Sequence, residues 1–311
     1  MKLVVTVPAY NEETTIAQVI ESIPKKILGI DKIEILVVDD GSLDSTAKIA
    51  ENKGALVIKH MQNLGLAKTF GDALDKALEM GADIIVNTDA DNQYDQKEIP
   101  KLIEPILNNK ADIVLGSRFR GKIEYMPLQK KLGNRIATHV VNLVSNANIS
   151  DAQTGFRAFS REAALQLNVQ SDYTYTQETI IQAMFKGLKI AEIPVDFRKR
   201  NDRSRLISNI GIYAIRASLT ILRSYLEYKP LKFFGGLGLL FILLGLISGF
   251  RVFIHYLNTG LVSPYIPTAL LSTFFLIVGM QIIVIGLLAD VSKQNRILQE
   301  RILYELRKTK K

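Results

Sequence analysis

The sequence predicts an α/β protein whose mostly parallel sheet carries helices on both faces, followed by interfacial amphipathic helices and a two-helix transmembrane hairpin. Three observations predict this class. Short apolar runs alternate with amphipathic segments from residue 2 to about 118, as in strands joined by right-handed helical crossovers. Two long uncharged apolar runs follow residue 230. Basic residues flank both runs, as they flank membrane spans.

Each element of the predicted sheet has its own signal in the sequence. The candidate strands are the apolar runs KLVVTV, IEILVVD, ALVIKH, ADIIVNTD and ADIVLGS. The candidate helices between them are ETTIAQVIESI, DSTAKIAENKG, LAKTFGDALDKALEMG and KEIPKLIEPILNN. Asn11 is predicted to begin the first helix and Ser42 to Ser45 the second, whereas Gly54 and Gly81 end helices.

The apolar runs after residue 230 predict two membrane spans. Phe233 to Phe250 contains eighteen uncharged residues and Ile266 to Ala289 contains twenty-four, and a span needs about twenty. A helix buried in a soluble core is the alternative. The preceding segment, Leu206 to Tyr228, is apolar on much of its circumference yet carries Arg216 and Arg223. This is typical of a helix lying in the membrane interface, with packing on the globular domain alone as the alternative.

These signals divide the chain into four parts: a soluble domain (1–205), interfacial helices (206–230), two spans at about 233–253 and 266–289 within 231–290, and a basic C-terminal helix (291–311). The flanking basic residues are Arg216, Arg223, Lys229 and Lys232 before the first span and Lys293, Arg296, Arg301, Arg307, Lys308, Lys310 and Lys311 after the second. The basic residues of the linker between the spans are only Arg251 and His255. By the positive-inside rule, we expect both termini and the soluble domain in the cytoplasm.

The formal net charge of +8 restricts the classes of partner. Because the basic residues cluster near the apolar runs, we expect a lipid bilayer or a phosphate-bearing ligand, and no nucleic acid. The chain has no cysteine, which excludes a disulfide framework and a thiolate metal site. It also has neither a G-x-G-x-x-G fingerprint after the first strand nor a P-loop lysine motif.

Polar clusters stand at the carboxyl ends of four predicted strands: PAYNEE after the first, DDGS after the second, DADNQ after the fourth and GSR after the fifth. Each cluster alone is compatible with turn and capping chemistry. In parallel sheets, however, the ligand crevice lies beyond these strand ends. The convergence of four clusters on one edge therefore predicts a shared site.

The cluster DADNQ, after the fourth strand, predicts a divalent cation, Mg²⁺ or Mn²⁺. On an extended backbone residues two apart point the same way, so Asp89 and Asp91 face the crevice together, with Gln93 beside them if the chain stays extended. Two carboxylates and an amide oxygen are hard ligands, too few to enclose the ion. The open positions suit the oxygens of a diphosphate, whose developing charge the ion would neutralise as it leaves.

Six motifs occur in an order that resembles a known family: VPAYNEE, VVDDGSLDST, NLGLA, DADNQ, GSR and DAQTGFRAF. The chain resembles the family 2 glycosyltransferases of GT-A (Rossmann-like) fold, and within them the polyprenyl-phosphate sugar synthases of dolichyl-phosphate mannose and dolichyl-phosphate glucose type. The resemblance covers roughly residues 3 to 206. It implies a nucleotide sugar as donor and a polyprenyl phosphate as acceptor.

The resemblance also implies roles for individual residues on the donor side. Pro8, Tyr10, Glu12 and Asp39 would line the nucleotide pocket, with Asp40 nearby. Asp89 would serve the nucleotide and the metal, while Asp91 and Gln93 would hold the ion.

On the acceptor side, the resemblance implies that Arg118 lies beside the acceptor phosphate, with Lys131 and Arg135 from the segment QKKLGNR. Asn134 stands where some relatives have Ser. The closing motif appears here as RKRNDRSRL, in which Arg200, Ser204 and Arg205 keep the motif's character and Asp202 stands where Gly is usual. Arg200 and Arg205 are therefore further candidates for contacting the phosphate.

A lipid monophosphate is largely dianionic at neutral pH, so it can attack the anomeric carbon without a protein base. The three histidines, His60, His139 and His255, lie outside the four strand-end clusters. Asp151 and Glu178 are the alternative candidates for a base or for holding sugar hydroxyls, and Asp151 could instead cap a turn. The residues expected to carry the chemistry are thus Asp91, Arg118 and Asp151.

The sequence therefore predicts a membrane-bound, metal-dependent, inverting transfer of one hexose, from a donor of GDP-mannose or UDP-glucose type to a polyprenyl phosphate on the cytoplasmic leaflet. Transfer to another lipid or glycan acceptor is one alternative. A degenerate, membrane-anchored nucleotide-sugar-binding scaffold is the other. The run GGLG at Gly235 to Gly238 indicates close helix packing and would permit a homo-oligomer.

Overall fold

The computed structural model describes residues 1–171, 174–199 and 210–309. The chain forms two compact units, of which the first comprises Met1–Ser224 together with Ile302–Lys311 and the second comprises Tyr225–Arg301. Arg200, Ser204 and Arg205, predicted from the closing motif, lie outside the described residues.

The first unit contains a seven-stranded sheet. Its strands are β1 (Lys2–Ala9), β2 (Lys32–Asp39), β3 (Leu56–Lys59), β4 (Ile84–Asn87), β5 (Ile113–Ser117), β6 (Arg157–Ser160) and β7 (Ile190–Pro194). They lie in the order β3-β2-β1-β4-β6-β5-β7. Only β6 runs against its neighbours, antiparallel to β4 and to β5. The predicted mostly parallel sheet is therefore confirmed.

In the described part of residues 1–194, seven helices lie between the strands: α1 (Ile16–Ser22), α2 (Thr46–Asn52), α3 (Leu66–Glu79), α4 (Ile99–Leu107), α5 (Leu128–Ser145), α6 (Arg161–Gln166) and α7 (Thr176–Phe185). A 3₁₀ turn (Gln96–Glu98) precedes α4. Gly54 and Gly81 follow α2 and α3 with φ of 83° and 76°, the left-handed geometry predicted for them. The prediction for Asn11 is wrong, because α1 is capped at Thr15 and Asn11 forms a left-handed turn with φ of 53°.

The sheet is buried on both faces. Leu3, Val5 and Val7 of β1 belong to a core cluster with residues of α1 and α4, while Val4, between them, is also fully buried. Successive strand residues point to opposite faces, so both faces of β1 are covered. This burial leaves the carboxyl edge of the sheet as the place where polar side chains can gather.

Three long helices follow: α8 (Ile210–Tyr228), α9 (Pro230–Thr259) and α10 (Ile266–Thr309). The last two are long and apolar enough to cross a membrane, and only 17% and 11% of their most apolar stretches are buried. α10 continues without a break past residue 290, the predicted boundary of the C-terminal helix. A single helix thus carries the second candidate span and the basic C-terminal segment.

Helices α9 and α10 pack closely through small residues. A Cβ on Gly238 would lie 2.7 Å from the carbonyl oxygen of Gly279, and Ser272 donates to the carbonyl of Gly245 at 2.7 Å. The close packing predicted for GGLG therefore occurs between two helices of the same chain at Gly238.

Candidate functional site

Asp39, at the carboxyl end of β2, has a buried carboxylate whose two oxygens have different surroundings. Asp39 is fully buried, and its Oδ1 accepts a hydrogen bond from the backbone N–H of Ser42 at 3.0 Å. Its Oδ2 has no hydrogen-bond partner among the described residues. The ammonium of Lys59 lies 3.8 Å from that oxygen. A buried carboxylate oxygen without a hydrogen bond is costly, so Oδ2 is suited to accept an N–H from a ligand.

The loops after β1 and β2 are joined by reciprocal hydrogen bonds. The backbone N–H of Asn11 donates to Ser42 Oγ at 2.8 Å, and the N–H of Leu43 donates to Asn11 Oδ1 at 2.9 Å. Glu12 is buried, and its N–H donates to Thr46 Oγ1 at 2.8 Å. Two predicted clusters, PAYNEE and DDGS, are thereby brought together.

Three predicted nucleotide-side residues lie around this junction with different surroundings. Pro8 is in β1, paired with Val38, and Tyr10 follows the strand half-buried. Asp40 is committed within the protein, because it accepts from the N–H groups of Leu64 and Gly65 at 2.8 and 2.9 Å and lies 2.9 Å from His60 Nδ1. Asp40 therefore holds the NLGLA loop in place.

Beyond β4, the Asp89 carboxylate lies against the backbone of Gly155. A Cβ at residue 155 would come within 2.6 Å of Asp89 Oδ1, so only glycine leaves room for this carboxylate. Asn87 Nδ2 donates to the carbonyl of Gly155 at 2.9 Å, and the N–H of Gly155 donates to Tyr94 Oη at 3.2 Å. The DADNQ and DAQTGF motifs thus meet at one point.

The backbone does not stay extended through Asp91 and Gln93. Asn92 has φ of 58°, and Asp91 Oδ1 accepts from the N–H of Gln93 at 3.2 Å. The side-chain amide of Gln93 donates to the carbonyl of Arg198 at 3.1 Å. The extended-strand argument that placed Gln93 beside the two aspartates is wrong, because a left-handed turn intervenes. Metal ligation by Gln93 stays a prediction.

The residues at the end of β4 fit a divalent cation in part. Among the described residues no group of three or more His, Asp or Glu side chains is placed to hold a metal. Asp89 and Asp91 supply hard carboxylate oxygens, and the absence of a side chain at Gly155 makes room for the Asp89 carboxylate itself. A cation held here would need further oxygens from its ligand.

At the end of β5, Arg118 and Asp151 form a buried bidentate ion pair. Arg118 Nε donates to Asp151 Oδ2 at 2.7 Å and Nη2 to Oδ1 at 2.8 Å, and the backbone N–H of Arg118 adds a third bond at 3.1 Å. Burial alone would raise the pKa of Asp151, but the charge and hydrogen bonds of Arg118 outweigh it and lower that pKa. Asp151 is therefore a fixed anion, poorly suited to act as a base.

The other acceptor-side predictions lie on two helices. Lys131, Asn134 and Arg135 are in α5. Asn134 is buried, and no described residue forms a hydrogen bond with its Nδ2. Arg135 is exposed, with its guanidinium 5.6 Å from the centre of the Phe119 ring. Glu178, on α7, accepts from the N–H groups of Gln170 and Ser171 at 2.9 and 3.0 Å, so it holds a loop.

Two charged residues absent from the sequence predictions organise the DAQTGF loop. Arg157 is fully buried and donates to the carbonyls of Thr154, Thr176 and Ala152 at 2.8 to 2.9 Å; burial lowers its pKa. Glu192, in β7, accepts from the N–H groups of Ser150 and Asp151. The available signal was a charged residue inside a short apolar run, FRAF for one and IAEIPV for the other.

Comparison with known proteins agrees with this architecture. The model of the glycosyl transferase family 2 matches residues 4–167. The UDP-N-acetylglucosamine–dolichyl-phosphate N-acetylglucosaminyltransferase of Methanococcus voltae is 35% identical over 211 residues, which cover 61% of this chain and 82% of that protein. The dolichyl-phosphate hexose transferase of Haloferax volcanii is 30% identical over 218 residues, covering 70% and 92%.

A solved structure shares the fold. Glucosyl-3-phosphoglycerate synthase from Mycobacterium tuberculosis, in complex with Mn²⁺, uridine diphosphate and glucosyl-3-phosphoglycerate, is similar with a TM-score of 0.55 and 25% sequence identity, covering 72% of this chain and 79% of that one.

Proposed function

The chain belongs to glycosyl transferase family 2, and on that premise we propose that it transfers one hexose from a nucleotide sugar to a polyprenyl phosphate at the cytoplasmic leaflet of a membrane. The observation that carries the donor half is the buried carboxylate of Asp39, whose Oδ2 has no hydrogen-bond partner in the part of the chain that the structure describes. Uracil and guanine both carry ring N–H donors that such an oxygen accepts. Asp39 would thus orient the base of a UDP- or GDP-sugar.

The donor's diphosphate would lie beside Asp89 and Asp91, across the edge from Asp39. Asp89 and Asp91 would hold a divalent cation, Mg²⁺ or Mn²⁺, which would neutralise charge on the departing nucleotide diphosphate. The uridine diphosphate and Mn²⁺ in the related mycobacterial structure support this arrangement. Gly155 contributes by leaving space for the carboxylate of Asp89.

On the acceptor side, Arg118 would face the lipid phosphate, and the phosphate itself would act as the nucleophile. The lowered pKa of Asp151 supports this, since an aspartate held as an anion by an arginine takes up a proton poorly. An acceptor that is already dianionic needs no proton removed. In-line attack on an α-linked donor would give a β-linked lipid-phosphate sugar.

A lipid acceptor is supported by helix α5 as well as by the relatives that act on dolichyl phosphate. Leu128, Leu132, Ile136 and Leu143 are exposed on α5, with Leu128 at 83% and Leu132 at 61%. They are spaced by four or seven residues, about one or two helical turns, so they lie on one stripe of the helix. Basic Lys131 and Arg135 lie beside it. An exposed apolar stripe with basic flanks is typical of a helix that contacts an anionic membrane.

The test is a transfer assay with the purified full chain in detergent. We would supply Mn²⁺, polyprenyl phosphate and a panel of labelled UDP- and GDP-hexoses, with phosphoglyceric acid as a competing soluble acceptor. The proposal predicts label in the organic phase with one donor class, and none from Asp91→Ala. Failure of every donor to label the lipid, or label only in phosphoglyceric acid, would overturn it.

A further inference from the structure

We propose that Glu192 on β7 is a positioning residue for the acceptor phosphate, because it fixes the Ser150–Asp151 peptide and, through Asp151, the guanidinium of Arg118. The inference rests on the proposed function, since it concerns the arginine assigned to the acceptor. Glu192 was not among the predicted site residues, whereas Asp151, whose backbone N–H it binds, was.

Hydrogen bonds to Glu192 hold the Ser150–Asp151 peptide in its orientation. The Glu192 side chain is 3% exposed. Its Oε1 accepts from the N–H of Ser150 at 2.8 Å and from the N–H of Asp151 at 3.1 Å. The hydroxyl of Ser150 lies 3.1 Å from both carboxylate oxygens and 2.6 Å from the hydroxyl of Ser117. Two consecutive amides and a hydroxyl on one carboxylate define the direction of the peptide.

The orientation of this peptide determines where the Asp151 carboxylate accepts hydrogen bonds from Arg118. Asp151 accepts two side-chain bonds and one backbone bond from Arg118. Glu192 and Arg118 are also linked through the sheet, because Glu192 pairs with Leu115 of β5 in parallel register, three residues before Arg118. The loop and the strand end are thus anchored to the same pair of strands.

Charge makes this geometry matter for a phosphate ligand. Arg118 pairs with Asp151, and Arg120 lies 3.1 Å from Glu192 Oε2. Two arginines and two carboxylates sum to no net charge, so the group as a whole has little attraction for an anion. A phosphate is bound only if a guanidinium edge is turned toward it and the carboxylates are turned away. Orientation by Glu192 would therefore control acceptor affinity more than donor affinity.

The experiment compares Glu192→Gln and Glu192→Ala with wild type in the full chain. Glutamine retains one oxygen for the two amides, whereas alanine removes every contact. We expect the KM for polyprenyl phosphate to rise about tenfold in Glu192→Ala, with a smaller rise in Glu192→Gln. Calorimetric Kd values for the donor should stay within about twofold of wild type. Amide hydrogen exchange at Ser150 and Asp151 should be faster in Glu192→Ala.

Asp112→Asn is the matched control. Asp112 precedes β5 and accepts from the N–H of Lys189, just before β7, at 2.8 Å, so it is a carboxylate anchoring the same strand pair at the opposite end. It should leave the acceptor KM unchanged. Wild-type transfer with an unaltered acceptor KM in both Glu192 variants, or a donor Kd that weakens as much as the acceptor KM rises, overturns this inference alone. No polyprenyl transfer by wild type overturns the proposed function, while hydrogen exchange still reports whether Glu192 holds the peptide.

Discussion

Asp39 and Asp151 are both fully buried at the carboxyl edge of the same sheet, but their partners differ. Asp151 has both oxygens bound by Arg118. Asp39 has one oxygen bound by a backbone N–H, and its other oxygen accepts no hydrogen bond from residues 1–171, 174–199 or 210–309. A buried acid that is fully paired serves the protein's own structure, whereas a buried acid with an unused oxygen bears a cost that a ligand can relieve. The proposed sugar-donor half of the edge therefore has an unused hydrogen-bond acceptor at Asp39 Oδ2, whereas the carboxylate in the proposed sugar-acceptor half is neutralised by Arg118.

The largest effect is expected from removing Asp91, a proposed ligand of the metal in the donor half. Asp91→Ala should lower the transfer rate by about a thousandfold, because a divalent cation contributes several kcal/mol of charge stabilisation. Initial rates at saturating Mn²⁺ measure this. Asp83→Asn is the control, since Asp83 accepts from the N–H of Lys2 at the amino end of β4, away from the site. Equal rates for Asp91→Ala and wild type would remove the metal from the account.

The second effect concerns stability in the acceptor half. Asp151→Asn should lower the free energy of unfolding by about 3 kcal/mol, because Arg118 would remain buried without its counter-charge. Urea unfolding followed by circular dichroism measures it, since the chain has no tryptophan. The same substitution at Asp39 should cause no loss, because it removes an incompletely paired charge. Equal destabilisation by both substitutions would contradict the difference in pairing between Asp151 and Asp39.

The pKa of Asp151 gives this contribution a pH window. Because its folded-state pKa lies below its ordinary value, the stabilisation is fully present above the unfolded pKa of about 3.9 and is lost as pH falls through the lower folded value. Wild type and Asp151→Asn should therefore converge in stability only in strong acid. Convergence at neutral pH would contradict the ion pair.

The third effect sharpens the role of Asp39. Asp39→Asn should raise the KM for the nucleotide sugar by about tenfold, because an amide N–H would face the N–H of the base. The acceptor KM should not change. Full kinetics with both substrates varied distinguish the two. A larger effect on the acceptor than on the donor would place the nucleotide elsewhere.

The smallest effect tests the apolar stripe of α5. Leu132→Gln should reduce transfer to polyprenyl phosphate in vesicles by roughly threefold, because less apolar area enters the bilayer. Its thermal stability should be retained, as Leu132 is largely exposed. Leu28→Gln, at a residue that is 95% exposed outside α5, is the control. Equal losses in the two variants would remove α5 from the membrane surface.

The strand and helix pattern of the first 118 residues was predictable because the apolar period of each element is a local signal, although the start of the first helix was misplaced at Asn11. β6 was not predicted, since its place between β4 and β5 depends on pairs such as Ile84 with Ser160, which no local pattern encodes. The turn at Asn92 had a signal, because Asn is one of the few residues that tolerates positive φ.

The residue types of the site were visible in the motifs, but their partners were not. Arg118 and Asp151 were both predicted site residues, but their ion pair could not be predicted because they are separated by thirty-three residues in sequence. Tertiary contacts decide whether a carboxylate is hydrogen-bonded within the protein or available to a ligand. Asp39 and Asp40 are adjacent in sequence and have different surroundings for this reason.

Calorimetric binding of UDP and GDP is the most direct test of the donor half. UDP or GDP would be titrated into wild type, Asp39→Asn and Asp91→Ala, each with and without Mn²⁺. The account predicts that one nucleotide binds wild type tightly only with Mn²⁺, that Asp39→Asn weakens this binding, and that Asp91→Ala abolishes its metal dependence. Binding of equal affinity in all three proteins, with or without Mn²⁺, would contradict it.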